Sequence, residues 1–146
     1  MSRTPNNLKY LLFTGAIDFE NDVFNVILMQ PGFVFNRETH EEYANVAGSE
    51  LANAFGYNAG GEVLAGVTVA PDHGDNLAYV NWNNMQWTAA GGNLDMGGAI
   101  IYDDTVAGDP IVGYINFNGT ITVVDGGTFT LANIFVALLD RRDLET

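Results

Sequence analysis

The stretch AIIYDDTVAGDPIVGYINFNGTITVVDGGTFTL, Ala99 to Leu131, decides the fold class, because it holds the chain's densest alternation of β-forming and turn residues. It carries no Lys, Arg, His or Cys. Asn118-Gly119 is the two-residue signal of a type I′ hairpin, whose central residues both need a positive φ, and Asp125-Gly126-Gly127 is a second turn signal soon after. Three antiparallel strands are predicted here.

The same texture extends outward. Val23 to Gln30 (VFNVILMQ) reads as a buried strand stopped by Pro31-Gly32. In 62–70, Val63, Ala65, Val67 and Val69 share one strand face, and Pro71-Asp72-His73-Gly74 closes the strand. Asn76 to Trp82 (NLAYVNW) is apolar on both faces and is expected to be well covered, and Met85 to Ala89, around Trp87, is a shorter strand. Gly91 to Gly98 (GGNLDMGG) reads as a flexible loop, and Ile134 to Leu139 (IFVALL) as a final strand or a short helix. Lys9 to Ile17 suits either a strand or one helical turn, with strand preferred. One longer helix is predicted over about 38–54. Thr39 and Glu42 form a capping box, and Tyr43, Val46, Ala47, Leu51 and Ala54 recur at spacings of three and four, although Gly48 threatens a break.

About eight short β segments separated by turns argue for a mainly β chain, a single-domain antiparallel β-sandwich or jelly-roll-like barrel with that one short helix. The expected organisation is an N-terminal arm over 1–8, a β domain over 9–139 and a charged tail over 140–146. A chain of 146 residues can bury a core without staples, and with no Cys it has neither disulfides nor thiolate metal sites. The start, MSRTPNNLKYLLFTGAIDFEND, has no small-residue cleavage site before acidic residues begin, and no segment approaches the length of a membrane span. A soluble, unprocessed product without membrane partners is expected.

The net charge of −13 is unevenly placed. Arg3, Lys9, Arg37, Arg141 and Arg142, the five basic residues, all lie outside Glu38 to Asp140, a segment that holds thirteen acidic residues. The body is an anion with neutral flanks. Such a surface repels phosphate backbones, which argues against nucleic-acid partners.

No catalytic constellation is visible. His40 sits in THEEY, where Ala44 stands in place of the second His of a zinc-binding HExxH, and His73 in PDHGD lacks a second nitrogen ligand. Asp103, Asp104 and Asp109 suit a calcium loop by residue type but lack EF-hand spacing, and a turn capped by its own Asp side chains is the simpler account. Ser2 and Ser49 lie in no GxSxG motif, and GGNLDMGG lacks the GK[ST] ending of a nucleotide loop. Asn118-Gly119-Thr120 matches a glycosylation sequon, yet the turn explains the same residues. Tyr79, Trp82 and Trp87 could stack on sugars, with core packing the simpler role. No metal, cofactor or enzymatic activity is expected.

Several segments nevertheless form a pattern: LANAFGY (Leu51 to Tyr57) with Gly60, Gly61 and Leu64, then MQWTAAGGNLDMGGAIIYDDT (Met85 to Thr105), IVGYINF and DGGTFTL. In this order they resemble a group of small phage and prophage virion proteins, over the span from Phe24 to Leu131. The C-terminal LANIFVALLDRRDLET departs from that group. The resemblance implies a bacteriophage virion structural protein without catalytic residues. An acidic body suits a head decoration, or cement, protein on the capsid surface, made in the host cytoplasm and assembling as a homo-oligomer. Its partners would be the major capsid protein or other virion proteins, met through Arg3, Thr4, Pro5 and Lys9 at one end and Arg141 and Arg142 at the other. The alternative is a tail or fibre-associated protein that reads host glycans through Tyr102, Tyr114 or Trp82.

Overall fold

In the computed structural model, which describes residues 2–139, the chain runs β1 (Ser2–Arg3), α1 (Asn6–Phe13), β2 (Phe24–Met29), α2 (Tyr43–Val46), β3 (Glu62–Val63), β4 (Thr68–Asp72), β5 (Leu77–Trp82), β6 (Met85–Thr88), β7 (Leu94–Asp103), β8 (Ile111–Val123), β9 (Thr128–Leu131) and β10 (Ile134–Leu139). The fold is mainly β, as the turn spacing predicts. Three antiparallel sheets are formed, in the orders β1-β8-β7-β2-β3, β10-β5-β4 and β6-β9. They stack as a sandwich, and among the described residues they do not close into a barrel.

The five-stranded sheet is buried on both faces. Strand β2 alternates cleanly: Phe24, Val26 and Leu28 face the smaller sheets, where they meet Val80, Trp82, Ile134 and Val136. Ile27 and Met29 point the other way, against Ile100, Tyr102, Ile111 and Tyr114. That second face is roofed by the connection between β2 and β3. Phe35 stacks on Tyr114 with ring centroids 5.1 Å apart, and Tyr43 stacks on Tyr102 at 4.9 Å.

The roof is not the helix expected over 38–54. Only α2 and a 3-10 turn at Ala47–Ser49 are helical, and the capping box is Glu42 with Asn45 rather than Thr39 with Glu42. The α-helix ends before Gly48, which lies inside the 3-10 turn, and the chain becomes extended at Glu50. The apolar face splits as well, with Val46 on the roofed face and Leu51 in the core between the sheets.

What fastens this connection is Glu50, a buried carboxylate. Its two oxygens accept from the hydroxyls of Tyr43 and Tyr57, and Oε2 also accepts from the Gly60 amide at 2.8 Å. Burial and the adjoining carboxylate push both phenols well above the usual tyrosine range, so they remain donors. Tyr57 in turn accepts from the Leu28 amide at 3.1 Å, and Gly61 lies so close to β2 that a Cβ there would collide with the Val26 carbonyl. A buried charge satisfied from three directions locks the roof to the sheet edge.

Four further expectations are corrected. Asn118-Gly119 makes no hairpin: both residues have positive φ, but they lie inside the single strand β8, between the Met96–Ile121 and Gly98–Asn116 pairs of the β7–β8 ladder. The left-handed preference that builds a type I′ turn serves equally for a bulge. The Gly91 to Gly98 loop is strand from Leu94 onward, and 62–70 divides into β3 and β4, which belong to different sheets. Residues 9–17 are largely the end of α1, whose Leu8 is fully buried while Leu11 and Leu12 pack beside it.

Candidate functional site

The residues expected to make an N-terminal arm are part of the body. Ser2 and Arg3 pair with Ile115 and Tyr114 of β8, Pro5 is buried, and α1 begins at Asn6. Arg3 and Thr4 reach the flank of β10, where a cleft of about 120 Å³ is lined by Arg3, Thr4, Arg37 and the β10 residues Phe135, Val136 and Ala137. Sequence reasoning counted Arg37 among the cations but did not place it at the site. Its carbonyl accepts from the Asn6 amide at 3.0 Å, and the turn that carries it is closed by Asn36, whose Oδ1 accepts from the Glu38 amide at 2.9 Å. The same turn holds His40, whose Nδ1 accepts from the Asn36 amide at 3.0 Å and whose ring stacks on Phe33. Burial lowers its pKa.

Further along β10, a groove of about 430 Å³ is lined by Lys9, Leu12, Phe13, Leu138 and Leu139. Phe13 is 93% exposed, and Tyr10 and Leu139 are also open to solvent. Large apolar side chains beside cations resemble the core and rim of a protein–protein interface. Arg3, Thr4 and Lys9 thus come together along one strip with Arg37, whereas Pro5 is a packing residue. Arg141 and Arg142 lie outside the described residues.

A third opening lies at the start of β10, a groove of about 630 Å³ lined by Asn81, Asn83, Asn84 and Asn133 together with Tyr79 and Phe135. Phe135 borders both this groove and the arginine cleft. Of the other aromatic candidates, Trp82 also lines this groove but is only 7% exposed, Tyr102 is 4% and Tyr114 3% exposed, and Trp87 is buried. They pack in the core.

The Asp103, Asp104 and Asp109 loop does not converge on a cation. Asp103 is fully buried, and its Oδ1 accepts from the amides of Thr105 at 2.8 Å and Val106 at 3.2 Å, the capped turn that the sequence favours. Its Oδ2 is buried with no donor reaching it and shares a hydrogen bond with Asp22 only when one of the two carries a proton. Burial, with the Asp22 carboxylate beside it, pushes Asp103 up to about 7. Among the described residues no three His, Cys, Asp or Glu side chains are placed to hold a metal, and no helix is long and apolar enough to cross a membrane.

Comparison with protein-family models, with curated proteins and with solved structures gives no match to this chain.

Proposed function

We propose that the chain is a structural protein of a bacteriophage virion, a non-enzymatic decoration protein that docks on the capsid surface through the strip along β10. One observation carries the docking part: Arg3, Arg37 and Lys9 border two neighbouring clefts on one strand edge of a body whose net charge is −13, next to exposed Phe13 and Leu139. The strip fits a partner surface that offers carboxylates around an apolar patch, on the major capsid protein or another virion protein. Opposite charge would steer the encounter and set its orientation, and the exposed rings would supply the affinity. The virion assignment rests on the sequence resemblance. Of the aromatic residues that the tail-protein alternative names, Tyr102 and Tyr114 are buried, and Trp82, 7% exposed, lines the asparagine groove.

The test is the copy number in purified particles of the encoding phage, by quantitative mass spectrometry, with the density located by cryo-electron microscopy. Hundreds of copies on the head, with the β10 edge facing the shell, are expected of a decoration protein that follows capsid symmetry. A few copies at the tail tip, or absence from the particle, would overturn the proposal.

A further inference from the structure

The asparagine groove has a structural origin of its own. Strands β5 and β10 pair through Trp82 and Ile134, and β6 and β9 pair through Met85 and Leu131, so one antiparallel ribbon continues from one small sheet into the other. Its ladder opens where Asn83-Asn84 stands across from Ala132-Asn133. Asn133 takes a left-handed φ of 56° to turn this corner, and Asn83 is held from below by Gly66, where a Cβ would strike its amide. Asn81 and Phe135 are register partners on the outward face, with Tyr79 two residues along the same face.

Asparagines elsewhere in the molecule are of two kinds: among the described residues Asn6, Asn7, Asn58, Asn76 and Asn118 make no side-chain hydrogen bond, and the others are engaged. Asn21, Asn25, Asn36, Asn45, Asn53, Asn93 and Asn116 all make side-chain hydrogen bonds that close turns or tie segments together. Among the described residues, no such bond engages Asn81, Asn83, Asn84 or Asn133. Each amide offers two donors and one acceptor, so the groove presents a dense, uncommitted set of both. Around them stand the part-exposed rings of Tyr79 and Phe135, and no charged residue lines the groove.

We propose that this groove binds an uncharged saccharide. Paired donors and acceptors match vicinal hydroxyl groups, which both give and accept, and an aromatic face matches the apolar C–H face of a sugar ring. The absence of cations from the lining disfavours phosphate or carboxylate ligands, and the anionic body repels them. At the floor, β5 is paired on both sides by β4 and β10, so a peptide main chain could pair only along the edge of β10, and a peptide is included as the competing ligand. This site shares Phe135 with the arginine cleft, but neither Arg3 nor Arg37 lines it.

Amide-resonance titration of the full-length protein tests this, with maltohexaose, cellohexaose, chitohexaose and an uncharged alanine-glycine peptide each taken to about 10 mM, a range that detects even millimolar dissociation constants. At least one saccharide is expected to shift resonances of Asn81, Asn84 and Phe135. Asn81→Ala, Asn84→Ala and Phe135→Ala should each weaken that binding about tenfold while leaving the melting temperature near the native value, and Arg3→Glu should leave it unchanged. The proposal is overturned if no saccharide shifts these resonances, if binding survives all three substitutions, or if the peptide alone occupies the groove.

Discussion

Glu50 beneath the five-stranded sheet accepts from two tyrosine hydroxyls and a backbone amide, whereas four asparagine amides on the small sheet make no side-chain bond to the described chain at all. The contrast extends to the surroundings. The large sheet is covered on both faces, by the small sheets on one side and by the 30–61 connection on the other. Strand β10 borders three openings in succession, the asparagine groove, the arginine cleft and the apolar groove beside Lys9. Apart from Asn25 Oδ1 and Asp103 Oδ2, which are buried without a donor, polar groups in the first region are consumed by the fold, and those in the second are left for something outside it. The two regions should therefore respond differently to substitution.

The largest effect is expected at Glu50. Glu50→Ala strands two buried hydroxyls and the Gly60 amide, and should cost about 3–5 kcal/mol, or about 10 °C or more in Tm. Glu50→Gln keeps an acceptor and should lose less. A thermal melt with native-like stability for Glu50→Ala would break the contrast.

Asp103 is the incompletely satisfied counterpart of Glu50. Its carboxyl in the folded protein titrates at about 7, above the value of a free Asp side chain, so the folded state binds the proton more tightly than the unfolded state. The associated stability is fully present below about pH 4 and is lost as the pH rises through about 7. Asp109, also raised by burial and by the nearby Asp104 and Glu42, acts in the same direction. Asp103→Asn keeps the cap on Thr105 and Val106 and places a permanent donor beside Asp22. It should stabilise the protein by about 1–3 kcal/mol at pH 8 and change little at pH 4. Denaturant melts across this range check the sign, and a variant equally stabilised at both pH values would contradict it.

A smaller effect is expected at the bulge in β8. Asn118→Ala at φ 58° removes the short polar side chain that lets asparagine adopt the left-handed region and should cost about 1 kcal/mol by urea melting. At the other extreme, Asn81→Ala and Phe135→Ala on the small sheet should change stability by about 0.5 kcal/mol or less, as exposed positions generally do.

The sheet elements were legible where the pattern admits one structure. VFNVILMQ is apolar but for Asn25 and Gln30 and ends at Pro-Gly, and it forms β2 almost to the residue. Where a pattern serves two structures, the local signal failed. YLLF at 10–13 fits a strand or a helix, and only the inclusion of Leu8, three and four residues before Leu11 and Leu12, shows the helical period that α1 uses. Asn118-Gly119 signals a left-handed backbone, which a bulge and a hairpin share. The Glu50 lock had no local signature, because its partners come from Tyr43 and Tyr57, seven residues away on either side. At the candidate site, Arg3, Thr4 and Lys9 were legible as scarce cations and their neighbours, while Arg37 needed the fold to bring its turn against β1. The groove could have been suspected from the asparagines of NWNN, 81–84, but Asn133 joins them only through the pairing of β5 with β10.

The most direct test of this division is the double charge reversal Arg3→Glu with Arg37→Glu, measured as occupancy of the protein on assembled heads that lack it, alongside its own Tm. The account predicts a Tm within about 2 °C of the native value, as for other exposed substitutions, and occupancy reduced at least tenfold. Native occupancy in a folded double variant would contradict it.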